Sequence, residues 1–187
     1  MPHSPVAQST VTDVGDALAE TRRRTLALVD SISDEDLERV HSTLMSPLVW
    51  DLGHIAAFED VWLVHRYGGR PLLREGLAEI YDAFETPRAT RGQLAFLRPR
   101  EAREYLAEVR ERALEVIAAR GAGDGATLEL IIRHEQQHNE TMLQTIALAR
   151  LDGLALWLAP GATRAPGATT RAPGIHRTRP ALTRGRS

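Results

Sequence analysis

Apolar residues recur every three or four positions along four stretches of the chain, and no stretch shows the strict alternation typical of a strand. This spacing places the apolar residues of each stretch on one face of a helix. Four amphipathic helices without a convincing strand predict an all-α fold, built as a four-helix bundle. The predicted helices cover residues 10–30, 46–68, 99–121 and 127–151.

The second predicted helix has clear signals at both ends. Ser46 can cap the first free amides, Pro47 fits the first helical position, and Gly68-Gly69 marks the end. Six residues between these ends share one helical face, which we expect to face the core: Trp50, His54, Ala57, Phe58, Val61 and His65.

The segments between the long helices predict connections. Ser33, followed by three acidic residues, indicates a short helical connector that ends near His41. Residues 70–98 have no clean period and contain two prolines, so we expect a long connection with one short helix around residues 77–83. The third long helix carries its apolar residues on one stripe, and we expect its remaining face to be charged and solvated.

The composition changes near residue 160. The chain continues in Gly, Ala, Thr, Arg and Pro, with the near repeat GATRAP and GATTRAP. Such a segment has too little apolar surface for a packed core. We therefore expect one folded domain at residues 10–158 and a low-complexity, disordered C-terminal tail at residues 159–187.

Composition and charge narrow the function. The 187 residues contain no cysteine, so thiolate ligands, disulfides and cysteine nucleophiles are excluded. No apolar run is long enough to cross a bilayer, and no signal peptide is apparent, so we expect a cytoplasmic protein without a membrane partner. Residues 160–187 hold six arginines and no acidic residue, which leaves an acidic body of 17 basic and 25 acidic residues. That body argues against nucleic-acid binding, since phosphate contacts need a basic face.

Three histidines form a candidate metal site. His134 and His138 are four residues apart on an apolar stripe, so both imidazoles lie on one side of a helix and can converge on one ion. His54 is the other histidine well inside a long helix and on its core face. Three neutral imidazoles leave coordination positions open, as in catalytic sites. These ligands suit Fe, Zn, Ni or Cu without selecting among them.

The same region allows a different enzyme. Residues 134–138 read HEQQH and match the H-E-x-x-H pattern of zinc metalloproteases, in which Glu135 would be the general base. The third histidine of the metzincin pattern is absent after His138. A zinc protease is therefore the less favoured alternative.

Two stretches carry a family resemblance: SPLVWDLGHIAAFEDVWLVHR at 46–66 and RHEQQHNETMLQTIALAR at 133–150. They closely resemble the N-terminal DinB-like domain of the hercynine oxygenases, the sulfoxide synthases of ergothioneine biosynthesis. The segment IYDAFETPRATRGQL at 80–94 is similar to the same family. The resemblance covers about residues 10–158 and implies a DinB-like bundle.

The resemblance also implies an activity. Family members are non-haem iron(II) enzymes that use O₂ to join hercynine to γ-glutamylcysteine or cysteine as a sulfoxide. Carried over by motif, His54, His134 and His138 would be the iron ligands. Gln137 would help to hold the hercynine imidazole, and either Arg88 or Arg91 would pair with a carboxylate of the thiol substrate.

Family members also have a second domain, of the formylglycine-generating-enzyme type, which supplies the tyrosine that assists O₂ chemistry. That domain has no counterpart in the 187 residues, so the catalytic residues remain unknown and a separate domain of this type is a possible partner. Two alternatives stay open beside a truncated oxygenase. One is a DinB-type metal-dependent thiol transferase, and the other is a metal-binding fragment that acts only with a partner.

Overall fold

The computed structural model describes residues 11–123 and 125–151, and every regular element within those ranges is helical. The predicted all-α fold is confirmed. The elements are α1 Val11–Val29, α2 Asp34–Glu38, α3 Leu48–Glu59, the π-helical segment Asp60–Tyr67, α4 Leu77–Ile80, α5 Arg88–Arg91, α6 Pro99–Arg120 and α7 Ala126–Ala149. The long elements are α1, α3 with the π-helical segment that continues it, α6 and α7, and they pack as a bundle.

Helix α3 is the centre of the bundle. Every residue of 48–57 is buried, because α6 and α7 pack on this helix and α2 and α4 cover more of it. A helix that is apolar on most sides is stable only when it is enclosed in this way. The core face predicted for the second helix is therefore correct for Trp50, His54 and Ala57, but it underestimates how much of the helix is buried.

The start of α3 differs from the prediction. Pro47 occupies the N-cap position, and no side chain caps the helix. The Ser46 hydroxyl instead accepts a hydrogen bond from Nη1 of Arg91, at 2.8 Å. The predicted capping role of Ser46 is wrong, because the helix begins one residue later than predicted and the Ser46 hydroxyl bonds Arg91 instead of a helix amide.

The end of the same helix also differs, because it continues as a π-helix rather than an α-helix. The amide of Gly68 donates to the carbonyl of Leu63, five residues earlier, at 2.9 Å. The wider turn rotates the later residues relative to an α-helical wheel, so Leu63 is buried while His65 is exposed. The predicted core position of His65 is wrong for this reason.

The long connection lies against α3. It contains the expected short helix, α4, and also α5, which was not predicted. The buried Tyr81 accepts a hydrogen bond on Oη from the amide of Leu97, at 2.8 Å. Its ring lies so close to α3 that a Cβ added at Gly53 would be 2.2 Å from the ring. Gly53 therefore lets the connection approach the central helix.

Four charged side chains and a threonine form a buried ionic cluster between α1, α3, α6 and α7. Glu59 pairs with Arg22 at 2.8 Å and with Arg110 at 2.7 Å. Glu135 pairs with the same two arginines, at 2.7 and 3.0 Å, and accepts from the Thr25 hydroxyl at 2.6 Å. The prediction that the polar face of the third long helix is solvated is wrong for Arg110, which is buried.

The predicted tail at 159–187 and the domain boundary at residue 158 lie outside the described residues. None of the helices in the described ranges is long and apolar enough to cross a bilayer.

Candidate metal centre

The bundle brings together the three histidines that the sequence singled out. His54 comes from α3, and His134 and His138 come from successive turns of α7. One ring nitrogen from each lies within 4.8 Å of the others. Nε2 of His54 and Nε2 of His134 are 3.0 Å apart. This cluster joins residues that are 80 positions apart in the sequence.

Aromatic rings on α3 hold two of the imidazoles in place. Trp50 stacks on His54, one helical turn away, with ring centroids 4.8 Å apart and planes 12° apart. Phe58 stacks on His134 at 3.6 Å and 9°. These contacts restrict the rings without using their nitrogen atoms.

Hydrogen bonds set the direction of two lone pairs. Nδ1 of His54 lies 2.6 Å from the carbonyl oxygen of Tyr81. Nδ1 of His138 lies 2.8 Å from Oδ1 of Asp51. A carbonyl or a carboxylate oxygen only accepts, so each Nδ1 carries the proton and each Nε2 keeps a lone pair. Asp51 and Tyr81 were not among the residues predicted from the sequence. A carboxylate within the otherwise apolar run of α3 was the available signal for Asp51.

Burial keeps the imidazoles of His54 and His134 neutral. It lowers the pKa of His54 to about 3, and the neighbouring His138 lowers it further, against the opposing effect of the Tyr81 carbonyl. Burial also lowers the pKa of His134 to about 2, reinforced by His138 and His54. Neutral imidazole is the form that binds a metal, so these two rings could bind one near neutral pH without losing a proton.

The donor set fits a transition metal. Two imidazoles bound to one ion at about 2.1 Å and at right angles have nitrogens roughly 3.0 Å apart. The separation between His54 and His134 has this value. The cluster of three contains no carboxylate, which suits Fe, Zn, Ni or Cu better than Mg or Ca.

A cavity of about 510 Å³ adjoins the three histidines. Its wall includes the aromatic rings of Phe58, Trp62 and Phe84, and Phe84 is 97% exposed. The guanidinium of Arg66 lies over the Trp62 ring, 4.1 Å from its centroid. The exposed Gln137 also lines the cavity, between the two histidines of α7. Small polar and aromatic ligands can therefore reach the histidine nitrogens.

Neither candidate arginine lines this cavity. Arg91 is buried, stacks on Trp50 at 3.7 Å and donates to Ser46 and to the carbonyl of Thr86. Arg88 is exposed and donates to the carbonyl of Leu44 at 3.3 Å.

Glu135 cannot serve the metal site as a general base. It is 1% exposed, and its carboxylate is bound by Arg22 and Arg110 in the ionic cluster. A general base must reach the proton that it abstracts, and Glu135 does not line the cavity. The zinc-protease alternative is therefore wrong, although its two histidines do meet.

Comparisons with known proteins agree with this architecture. Residues 17–142 match the model of the DinB superfamily. The hercynine oxygenase of Mycobacterium tuberculosis is 47% identical over 136 residues, which are 70% of this chain and 31% of that protein. Those of Mycolicibacterium smegmatis and Mycolicibacterium thermoresistibile are 44% and 43% identical, over 72% and 70% of this chain and 32% and 30% of theirs. The chain thus spans about three tenths of the length of these curated relatives.

Proposed function

Since the chain belongs to the DinB superfamily, we propose that its three histidines hold the iron of an enzyme of the hercynine oxygenase type. The reaction would join hercynine to γ-glutamylcysteine, or to cysteine, with O₂ as the oxidant. The observation that carries this proposal is the cluster of His54, His134 and His138 beside an open cavity, in a chain so similar to hercynine oxygenases.

Different residues of the chain would bind the metal, orient its ligands and form the cavity wall. The three imidazoles would hold Fe(II), which supplies one-electron and O₂ chemistry when bound. Tyr81 and Asp51 accept the Nδ1 protons and so direct the Nε2 lone pairs of two rings. The aromatic rings of the cavity wall offer apolar surface on which a substrate ring could pack.

The solvent exposure of the candidate residues indicates which of them could contact a substrate. The Gln137 amide can both donate and accept, and it lines the cavity next to His138, so we assign to it a contact with the hercynine imidazole. Arg88 has one long hydrogen bond and is exposed, whereas Arg91 is committed to three oxygens of the protein. We therefore favour Arg88 as the residue that binds the carboxylate of the thiol substrate. Arg91 would instead pack on the Trp50 ring and hold it in place.

The full reaction needs more than this domain. The matched relatives are about three times as long as the aligned region, so the remaining substrate contacts and the catalytic tyrosine would come from a formylglycine-generating-enzyme-like domain. That domain would act from the same polypeptide or from a separate partner.

Equilibrium dialysis of the purified chain against Fe(II), Co(II), Ni(II) and Zn(II) tests the metal site. We expect one ion per chain, with binding lost in His54→Ala, His134→Ala and His138→Ala. His65→Ala is the matched control, because His65 is exposed and bonds the carbonyl of Arg70. Stoichiometric binding that survives His138→Ala would contradict the assignment.

The activity is tested by O₂ consumption of the iron-loaded chain with hercynine and γ-glutamylcysteine, with mass detection of the sulfoxide. We expect product when a formylglycine-generating-enzyme-like domain is added, and none with His134→Ala. Conjugation of a thiol without O₂ consumption would instead indicate a DinB-type thiol transferase. The superfamily match over most of the chain is the observation that keeps that candidate in view.

A further inference from the structure

We propose that Asp51 is a positioning residue that orients the His138 ring and fixes its tautomer, so that Nε2 is the nitrogen available to a metal. This inference rests on the proposed metal site. It concerns a side chain that is not among the three clustered ligands and that acts through one of them.

The contact between Asp51 and His138 crosses the bundle. Asp51 lies in the first turn of α3, His138 lies in the middle of α7, and the bond joins residues 87 positions apart. The Asp51 side chain is 1% exposed and the His138 side chain 14% exposed. The bond is therefore shielded from water, which would otherwise compete for both groups.

The carboxylate of Asp51 is not part of the buried ionic cluster. Glu59 and Glu135 each use both carboxylate oxygens to bind Arg22 and Arg110. Asp51 uses only Oδ1, and its buried Oδ2 has no hydrogen-bond partner among the described residues. A buried charge is costly unless its interactions repay it. The hydrogen bond that the fold provides for Asp51 is the one to the ring of His138, and the Arg91 guanidinium adds a favourable positive charge.

The consequence for His138 is a defined tautomer. The carboxylate holds the proton on Nδ1, which leaves the Nε2 lone pair free to face the other histidines. His54 has the same arrangement, but its acceptor is the neutral carbonyl of Tyr81. A charged carboxylate forms a stronger hydrogen bond to the ring N–H than a neutral carbonyl does, so the tautomer and orientation of His138 are held more firmly than those of His54.

A structural explanation makes a different prediction. An acidic side chain in the first turn of a helix also stabilises the helix dipole. In that case removal of the Asp51 charge lowers stability but leaves the tautomer of His138 unchanged. The tautomer therefore separates the two roles.

The first test uses the metal-free chain. Long-range ¹H–¹⁵N correlation spectra of ¹⁵N-histidine-labelled protein distinguish protonated from unprotonated ring nitrogens. We expect His138 to carry its proton on Nδ1 in the native chain, to shift towards the Nε2-protonated form in Asp51→Leu, and to shift less in Asp51→Asn, whose amide oxygen can still accept. A native His138 protonated on Nε2, or a tautomer unchanged in Asp51→Leu, would overturn the proposal.

The second test measures binding of Zn(II) and the visible spectrum of bound Co(II). We expect Asp51→Leu to weaken Zn(II) binding by about 10- to 100-fold and to alter the Co(II) bands, with Asp51→Asn intermediate. Asp60→Asn is the matched control, since Asp60 is also 1% exposed with one unpartnered oxygen but binds Tyr105 and the amide of Leu73 instead.

The two tests distinguish a failure of the Asp51 proposal from a failure of the proposed metal site. Native affinity in a folded Asp51→Leu variant would overturn the role of Asp51, while loss of affinity in Asp60→Asn as large as in Asp51→Leu would show a general effect of buried charge. A native chain that binds no metal would contradict the proposed function, and the tautomer alone would then decide the role of Asp51.

Discussion

At the scale of single residues, the environment of His54 depends on a missing side chain. Gly53 has no Cβ, and the ring of Tyr81 occupies the space that a Cβ would take. The backbone carbonyl of the same tyrosine accepts the Nδ1 proton of His54. The packing of one residue therefore controls the orientation of its neighbour.

Gly53→Ala is expected to lower the free energy of unfolding by about 1–3 kcal/mol, because the new methyl group forces the Tyr81 ring to move. Urea denaturation measures this effect. Gly15→Ala is the matched control, because a Cβ at this α1 position meets nothing within 4 Å. Equal stability of the two variants would contradict the steric argument.

At the scale of elements, the buried ionic cluster fixes how α7 faces the bundle. Glu135 lies between His134 and His138 in sequence but points towards α1 and α6, where it binds Arg22 and Arg110. Its neighbours in the sequence consequently face α3 and the cavity. Because Glu135 faces away from the two histidines, the H-E-x-x-H pattern in this chain forms a histidine site without a general base.

Glu135→Ala is expected to destabilise the fold by about 3–5 kcal/mol, because it leaves Arg22 and Arg110 buried with only Glu59 as a shared acid. Chemical denaturation monitored by circular dichroism measures the change. Glu129→Ala on the same helix is the control. Its partner Arg133 is exposed, so we expect a loss of less than about 1 kcal/mol. Similar losses in both variants would show that burial of the cluster contributes little.

The π-helical segment shows the limit of periodicity at this scale. An α-helical wheel predicts that the face containing His54 continues through His65, but the segment after Glu59 turns His65 to the solvent. Asp60, the first residue of the segment, accepts from Tyr105 and from the amide of Leu73. Tyr105 lies on α6 and Leu73 in the connection that follows the segment, so the spacing of residues within the segment does not predict these contacts.

At the scale of the whole molecule, acid should unfold the protein through Glu59. Burial alone raises the pKa of this carboxyl, but Arg110 and Arg22 lower it by more, so the pKa in the folded state lies below the ordinary value of 4.5. A depressed folded-state pKa contributes stability that is complete above pH 4.5 and is lost as the pH falls further.

Urea denaturation between pH 7 and pH 3 checks this expectation. The urea concentration at half unfolding should decrease once the pH is below about 4.5. The decrease should be smaller in Glu59→Gln, which has no charge to lose. Glu20→Gln is the control. The pKa of Glu20 is also lowered, to about 2, by hydrogen bonds from Arg23 and Arg24, but the group is fully exposed and solvent screens it. An unchanged pH dependence in Glu59→Gln would contradict the assignment.

The sequence by itself determined the parts of the protein that depend on local spacing. The four long helices, their approximate ends and the pairing of His134 with His138 follow from periods of three and four residues. His54 could be chosen because few other histidines lie inside a long helix on its apolar face. Helix formation and side-chain facing are local properties, so a single sequence is enough to predict them.

Only the tertiary structure decided which groups form hydrogen bonds with those histidines and with the residue between them. The bonds of Asp51 to His138, of the Tyr81 carbonyl to His54, and of Glu135 to two arginines join residues 25 to 113 positions apart. The hydrogen bonds of Ser46 to Arg91 and of Asp60 to Tyr105 and to the Leu73 amide likewise join groups that local spacing does not bring together. Such contacts form only when the helices are packed, because a buried polar group takes the partner that the fold brings within reach.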